Sequence, residues 1–325
     1  MTIDKSVFIP VNPDEAFALI TEPERLRRWK AVAARVDLRV GGGYRWTITP
    51  GHSVAGTFKE IEPGKRVVFT WRWEGQGAPV ADASTITITL EPADGGTMVR
   101  LVHEGLAAVE ETGHTEGWNH FLGRLVTLTT TGDAGADDWS AAPDPINELI
   151  SAEATLAIAQ RTLASLTTAD MGRQTPCEDF TVSGLLEHLI GSISSIGKAL
   201  GVAIGDDPAA APEKRLADVA QPTLEAFQAR GLEGTIDMGF AELPATTVAN
   251  ILNLEFLVHA WDFATATSRT LEVAPVLSEY VLALARNTIA PSMRGASFAE
   301  ETLVEESAAS LDRLVAFTGR QTAIL

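Results

Sequence analysis

The chain of 325 residues predicts two domains of different class: an α+β unit in which an antiparallel sheet closes on a long helix, then an all-α helical bundle. Three observations carry this. Up to about residue 130, apolar residues alternate with polar ones in short runs bounded by Gly, Pro or Asp-Gly. From about residue 145 they recur at helical spacing instead. Between the two lies TGDAGADDWSAAPDP, residues 131 to 145, where glycine, proline, alanine and aspartate leave nothing to pack as an element interior. The boundaries read as 1–131 for the first domain, 132–145 for a linker and 146–325 for the second, with the cut near residue 140. Charge divides there too, with 14 Lys+Arg against 19 Asp+Glu up to residue 140 and 11 against 24 after it.

The elements follow in order. After an opening strand, NPDEAFALI offers Asn12 as an N-cap, Pro13 at the first helical position and Glu15 at the third. The runs YRWTITP, GTFKEIEP, RVVFTWRWEG, STITITLEP and TMVRLVHEG read as antiparallel strands joined by tight turns. A long helix from about Val109 to Thr130 then sets Trp118, Phe121, Leu122, Leu125 and Leu128 on one side, facing the sheet. Past the linker, PINELISAEATLAIAQRTLASL, TVSGLLEHLIGSISSIGKAL, LADVAQPTLEAFQARG, TTVANILNLEFLVHAWDFATAT, VAPVLSEYVLALARNTI and ESAASLDRLVAFTGR are all helical in period. Asp144 before Pro145 and Thr181 are the expected starts of the first two, and the acid-rich stretch 296–307 reads as a solvated loop and helix start.

Composition narrows the function classes. With 45% apolar and 21% charged residues, disorder and collagen-like sequence are excluded, and the single cysteine, Cys177, excludes an internal disulfide or a cysteine-based zinc knuckle. No apolar run is long enough to span a bilayer and the amino terminus lacks a secretory pattern, so a cytoplasmic location is expected. A net charge of −18 without a basic cluster argues against nucleic acid and anionic membranes as partners. The expected partner is a small-molecule ligand or substrate, and a homodimer is left open.

The second half holds two histidines, His188 and His259, both within apolar helical patterns. In NLEFLVHAWD, Glu255 and His259 are four apart and share a helix face, and Asp262 falls on that face as well. With His188 from another helix, these could form a three-ligand metal site with an open position. By spacing alone the plainer reading stands beside it: a Glu–His pair bracing one helix, and a satisfied core histidine. Asp262 reads as a carboxylate orienting His259 in preference to a fourth metal ligand, with a capping or surface role beside these. Glu187 turns away and reads as solvated, and Cys177 reads as a buried, inert thiol. His52, His103, His114 and His120 are scattered and form no metal set. Trp29, Trp46, Trp71, Trp73 and Trp118 are candidates for lining a ligand pocket, with plain core packing the commoner role for aromatics on a sheet.

The segments TPCEDFTVSGLLEHLIG (175–191), EFLVHAWDFATAT and LDRLVAFTGR resemble the actinobacterial metal-binding family related to mycothiol-dependent maleylpyruvate isomerase, a branch of the DinB-like four-helix bundles. The resemblance implies a divalent metal, usually zinc, held by a histidine on the second helix and a Glu-x-x-x-His pair on a later one: His188, Glu255 and His259 here. It also implies a low-molecular-weight thiol such as mycothiol as cosubstrate. The isomerase's further C-terminal domain has no equivalent read after residue 319. The first half, through FIPVNPDEAFALITEPERLRRW, VGGGYRW, GTFKEIEPGKRVVFTW, TMVRLVHEG and GWNHFLGRL, resembles the helix-grip (START-like, SRPBCC) domains of the chaperone-ATPase-activator-homologue branch. Such domains hold apolar ligands between sheet and helix. Together they imply a metal- and thiol-dependent S-transferase or isomerase acting on a small electrophilic or apolar molecule. The alternatives are a non-catalytic ligand-binding protein with a structural or regulatory metal, and a chaperone-associated interaction module.

Overall fold

The alternating runs of the first half form a seven-stranded sheet in the computed structural model, which describes residues 1–75, 84–177, 179–295 and 298–322. The chain divides into two units, Met1–Asp137 and Asp138–Leu325. In the first, β1 (Thr2–Ile9) is followed by α1 (Pro13–Thr21) and the single-turn α2 (Pro23–Leu26). Then come β2 (Ala33–Val36), β3 (Gly43–Thr49), β4 (His52–Glu62), β5 (Arg66–Trp73), β6 (Ser84–Ala93) and β7 (Gly96–Glu104), and α3 (Glu111–Thr131) ends the unit. The strand order is β1-β7-β6-β5-β4-β3-β2, with every neighbouring pair antiparallel.

Alternation decides which side chains enter the core. Ile86, Ile88 and Leu90 of β6 and Val99, Leu101 and His103 of β7 point inward, and Trp118, Phe121, Leu122, Leu125 and Leu128 of α3 are buried in the same cluster as the apolar ones. Asn12 caps α1, accepting the Glu15 N–H at 2.9 Å. Register shifts between Thr47 and Thr49 and between Phe58 and Glu60 bend the strands. Gly56 sits where β4 runs close to β5: a Cβ there would lie 1.9 Å from the Thr70 carbonyl oxygen. Part of the segment expected as a linker is tied down, because Arg124 of α3 donates to the carbonyls of Ala136 (2.9 Å) and Gly135 (3.1 Å).

The second unit comprises α4 (Asp138–Ala141), α5 (Glu148–Ala164), α6 (Val182–Ala199), α7 (Pro212–Arg230), α8 (Ala245–Ala266), α9 (Pro275–Thr288) and α10 (Ser310–Phe317). α5 and α6 each pack against α7 and α8, making a four-helix bundle, while α9 and α10 pack on each other and on α8. Three details differ from expectation. α5 starts at Glu148, with Asn147 rather than Asp144 as cap, because the Asn147 side chain accepts from both Leu149 and Ile150 N–H. The unit is not purely helical: β8 (Thr235–Asp237) and β9 (Glu242–Pro244) form a small hairpin before α8. Strands of three residues are too short to show a period. Residues 298–307 precede α10 without joining it, and 296–297 lie outside the described residues. Among the described residues, no helix is long and apolar enough to cross a membrane.

Candidate metal centre

α8 is buried nearly all round. Leu252, Phe256, Ala260 and Phe263 enter the bundle core, while Leu254, Leu257 and Val258 enter a second core with α9 and α10. A polar side chain on such a helix must find its partner inside the protein. Asn253 does so by receiving the Ser151 hydroxyl at 2.6 Å and donating to the Glu148 carbonyl at 2.8 Å. Glu255, His259 and Asp262 lie on this helix, and α6 supplies His188 to the same place.

The Nε2 atoms of His188 and His259 lie 3.7 Å and 3.4 Å from Glu255 Oε2. One ligand atom from each of the three residues falls within 4.8 Å of the others, and they are the one such group of three or more among the described residues. Glu255 is fixed from its other oxygen, since Ser192 Oγ donates to Oε1 at 2.9 Å. Among the described residues the buried Oε2 has no hydrogen-bond partner, so its approaches to the imidazoles are ion-pair contacts rather than aligned hydrogen bonds. Behind His259, Nδ1 lies 3.0 Å from Asp262 Oδ2. Asp262, wholly buried, is held in turn by Arg320, whose Nη2 donates to Oδ2 at 2.8 Å and Nε to Oδ1 at 3.3 Å. The His188 side chain remains 40% exposed, with its ring against Phe180 at a centroid distance of 5.1 Å.

The charges follow from these contacts. Burial pushes the His259 imidazole down, but the Asp262 hydrogen bond and the nearby Glu255 carboxylate outweigh it and carry the group up to about 9. Burial also pushes Glu255 and Asp262 up. For Glu255 the two imidazoles and Ser192, and for Asp262 the His259 and Arg320 contacts, more than reverse this and hold each below the usual carboxylate range. His188 is lowered, chiefly by burial. The donor set is two imidazole nitrogens and one carboxylate oxygen that lacks a proton donor, which fits a divalent cation of the zinc type. The single exposed member leaves one side open. Cys177 lies outside this group, and burial raises its thiol.

Ser192 and Arg320 are the residues that sequence reasoning missed. Both reach the site across many residues of chain, and no local motif marks them. Glu187 is exposed, as its reading as solvated expects, and also pairs with Arg215 through two hydrogen bonds of 2.6 and 2.9 Å, because the neighbouring α7 brings the guanidinium within reach.

In the first unit, Trp29, Trp46, Trp71 and Trp118 are buried around Lys30, while Trp73 is half-buried and touches Trp71 and His114. His103 is fully buried. Trp118 Nε1 donates to its Nδ1 at 3.1 Å, so Nε2 carries the proton toward Ser84 Oγ at 2.7 Å, and that hydroxyl reaches the Trp71 carbonyl.

Known proteins resemble the two units separately. Residues 10–130 match the family described as Activator of Hsp90 ATPase homolog 1-like protein, and residues 152–264 match the mycothiol maleylpyruvate isomerase N-terminal domain. Uncharacterized protein Rv0738 of Mycobacterium tuberculosis is 31% identical over 164 residues, which cover 49% of this chain and 89% of that protein. The human activator of 90 kDa heat shock protein ATPase homolog 1 is 26% identical over 117 residues, 36% of this chain and 33% of that protein. Among solved structures, a Chromobacterium violaceum protein is 27% identical, with 39% of this chain and 96% of that chain covered at a TM-score of 0.35. The chain therefore joins a helix-grip domain of the Activator of Hsp90 ATPase homolog 1-like family to a helical domain of the mycothiol maleylpyruvate isomerase N-terminal family.

Proposed function

We propose that the protein is a metal-dependent enzyme of thiol chemistry, an S-transferase or isomerase acting on a small electrophilic or apolar molecule, with the first unit holding the apolar ligand. The observation that carries the reading is Glu255 Oε2, a buried carboxylate oxygen without a hydrogen-bond donor, facing two imidazole nitrogens. His188, Glu255 and His259 would be the metal ligands, with zinc the best match to the donor set. A divalent ion there would lower the pKa of a thiol such as mycothiol and so supply a thiolate nucleophile at neutral pH.

The surrounding residues have definable tasks. Asp262 accepts the Nδ1–H of His259, which leaves the Nε2 lone pair to face the site and raises its basicity. Arg320 keeps Asp262 ionised and in place. Ser192 occupies Oε1 of Glu255 so that Oε2 is the free oxygen. Phe180 covers one face of His188. A closed structural site would be expected to carry four protein ligands, whereas three here, one of them exposed, favour a reactive centre over a structural one.

The test is elemental analysis of untagged, chelator-free protein beside His188→Ala and His259→Ala, followed by a screen of the metal-loaded chain for thiol-dependent conjugation and isomerisation. About one zinc per chain, lost in both variants, with thiol-dependent turnover supports the reading. No metal after reconstitution with zinc, nickel and manganese overturns it, and a metal whose removal lowers Tm without any thiol-dependent reaction moves the centre to a structural role.

A further inference from the structure

The interior of the first unit contains a surplus of hydrogen-bond donors. Lys30, just after α2, is only 4% exposed. Its Nζ lies 4.4 Å from the ring centroids of both Trp46 and Trp118, 5.0 Å from Trp71 and 5.8 Å from Trp29. Among the described residues, no carboxylate or other acceptor partners it, and burial pushes the amine well below its ordinary value. Indole faces attract an ammonium group, but these contacts recover less than the desolvation of a lone charge costs.

The indole N–H groups sharpen the point. Three of the five in this unit have acceptors: Trp29 on the Leu19 carbonyl at 2.9 Å, Trp118 on His103 at 3.1 Å and Trp73 on His114 at 3.2 Å. The two buried without a partner are Trp46 Nε1 and Trp71 Nε1, and both belong to rings that border Lys30. An unsatisfied buried donor is costly, so these two beside an unpaired amine call for an acceptor from outside the fold. The run of rings continues from Trp71 to the half-exposed Trp73 and His114, linking this interior to the surface.

We propose that Lys30, Trp46 and Trp71 form the polar end of a binding site for a small aromatic carboxylate, whose ring lies against the indoles and whose oxygens accept from the amine and the two N–H groups. The inference rests on the ligand-holding reading of this unit and narrows it from apolar molecules to anionic ones. An anion beside Lys30 would raise the amine back toward its ordinary value and favour its protonated form, so the ligand's charge is what the site reads. The neighbouring His103 is excluded from that task, since both its nitrogens are already engaged.

Isothermal titration calorimetry of the full chain at neutral pH, with 2-naphthoate and its uncharged counterpart 2-naphthalenemethanol, provides the test. The expected result is one naphthoate per chain, bound at least tenfold tighter than the alcohol. Lys30→Met is expected to abolish the preference while still binding the alcohol, and His259→Ala to leave it intact. Equal affinity for both ligands in the wild type overturns the carboxylate site but leaves a ligand-holding domain. Binding of neither overturns both readings. A preference that survives Lys30→Met and disappears in His259→Ala places the carboxylate on the metal centre instead and also overturns the proposal. If Lys30→Met loses its near-ultraviolet circular dichroism, Trp71→Phe removes one donor with the amine kept, and a preference undiminished in it counts against the site.

Discussion

His103 and His259 are both buried histidines, one in each unit, and their protons go opposite ways. His103 sits among tryptophans, accepts from one indole and donates to a hydroxyl; burial above all, with smaller contributions from the neighbouring His114 and Lys30, pulls it down to about 3. His259 is buried nearly as deeply, but it faces two carboxylates and is carried up to about 9. Depth is similar in the two places, and what differs is the sign of the charge within reach. A neutral, fully bonded imidazole is a structural element, whereas one polarised by a carboxylate behind it, with a bare carboxylate oxygen in front, is equipped to hold a cation. The same contrast separates Lys30, which has no anionic partner among the described residues, from Arg320, which is paired with Asp262.

The largest effect expected is at the proposed metal centre. His259→Ala removes one ligand and uncouples Asp262, and zinc affinity in competition with a chromophoric chelator is expected to fall by more than about 100-fold. Chelation of the wild type should lower the melting transition of the helical unit and leave that of the sheet unit unchanged. The two can be followed separately, because Trp29, Trp46, Trp71, Trp73 and Trp118 lie in the first unit and Trp139 and Trp261 in the second. Equal shifts in both transitions would break the assignment of the metal to one unit.

The second effect belongs to His103. Its folded value of about 3 lies below its ordinary 6.5, so between these the unfolded chain binds a proton that the folded one refuses, and stability is lost as pH falls. The loss attributable to this group is about 3 kcal/mol by about pH 4. Urea unfolding of the sheet unit from about pH 7 to pH 4 should show this slope, and His103→Phe should flatten it. An unchanged slope in the variant would assign the acid sensitivity to other groups.

Much of this was legible in the sequence, and the limits were physical. Helical period gave the second unit because six amphipathic segments repeat it, and alternation gave the sheet. Glu255 and His259 could be paired because one helical turn separates them. The same alternation that buried Val99 and Leu101 carries His103 to the inner face of β7, so its burial was readable although its neighbours were not. Ser192 lies 63 residues from Glu255, and Arg320 lies 58 from Asp262; contacts at that separation depend on how helices pack, which spacing does not encode. Lys30, in RRWKAV, follows two arginines, and no local signal marks it as buried. Only the turn after α2, which carries it under the sheet, makes it an interior residue.

Behind the ligands the effects shrink. Asp262→Asn keeps the size of the side chain but not its charge, so His259 loses both its orienting acceptor and part of its basicity. Zinc affinity should fall by about 10- to 100-fold, with a shallower dependence on pH near neutrality, because a less basic imidazole has less proton to give up on binding. A melting change without a change in affinity would make Asp262 a structural partner of Arg320 alone.

The smallest effect tests whether Oε2 of Glu255 is selected or merely left over. Ser192→Ala removes the donor to Oε1, and the hydrogen bond itself contributes about 1–2 kcal/mol because its acceptor is charged. If Ser192 only satisfies a buried oxygen, the variant loses stability with and without metal alike. If it fixes which oxygen faces the imidazoles, Glu255 can rotate in the metal-free variant to offset the lost donor, and the loss appears mainly in zinc affinity, by a factor of about 10 or less. Paired measurements of Tm and affinity in the one variant therefore separate a residue that pays a desolvation cost from one that positions a ligand, the same distinction that divides His103 from His259.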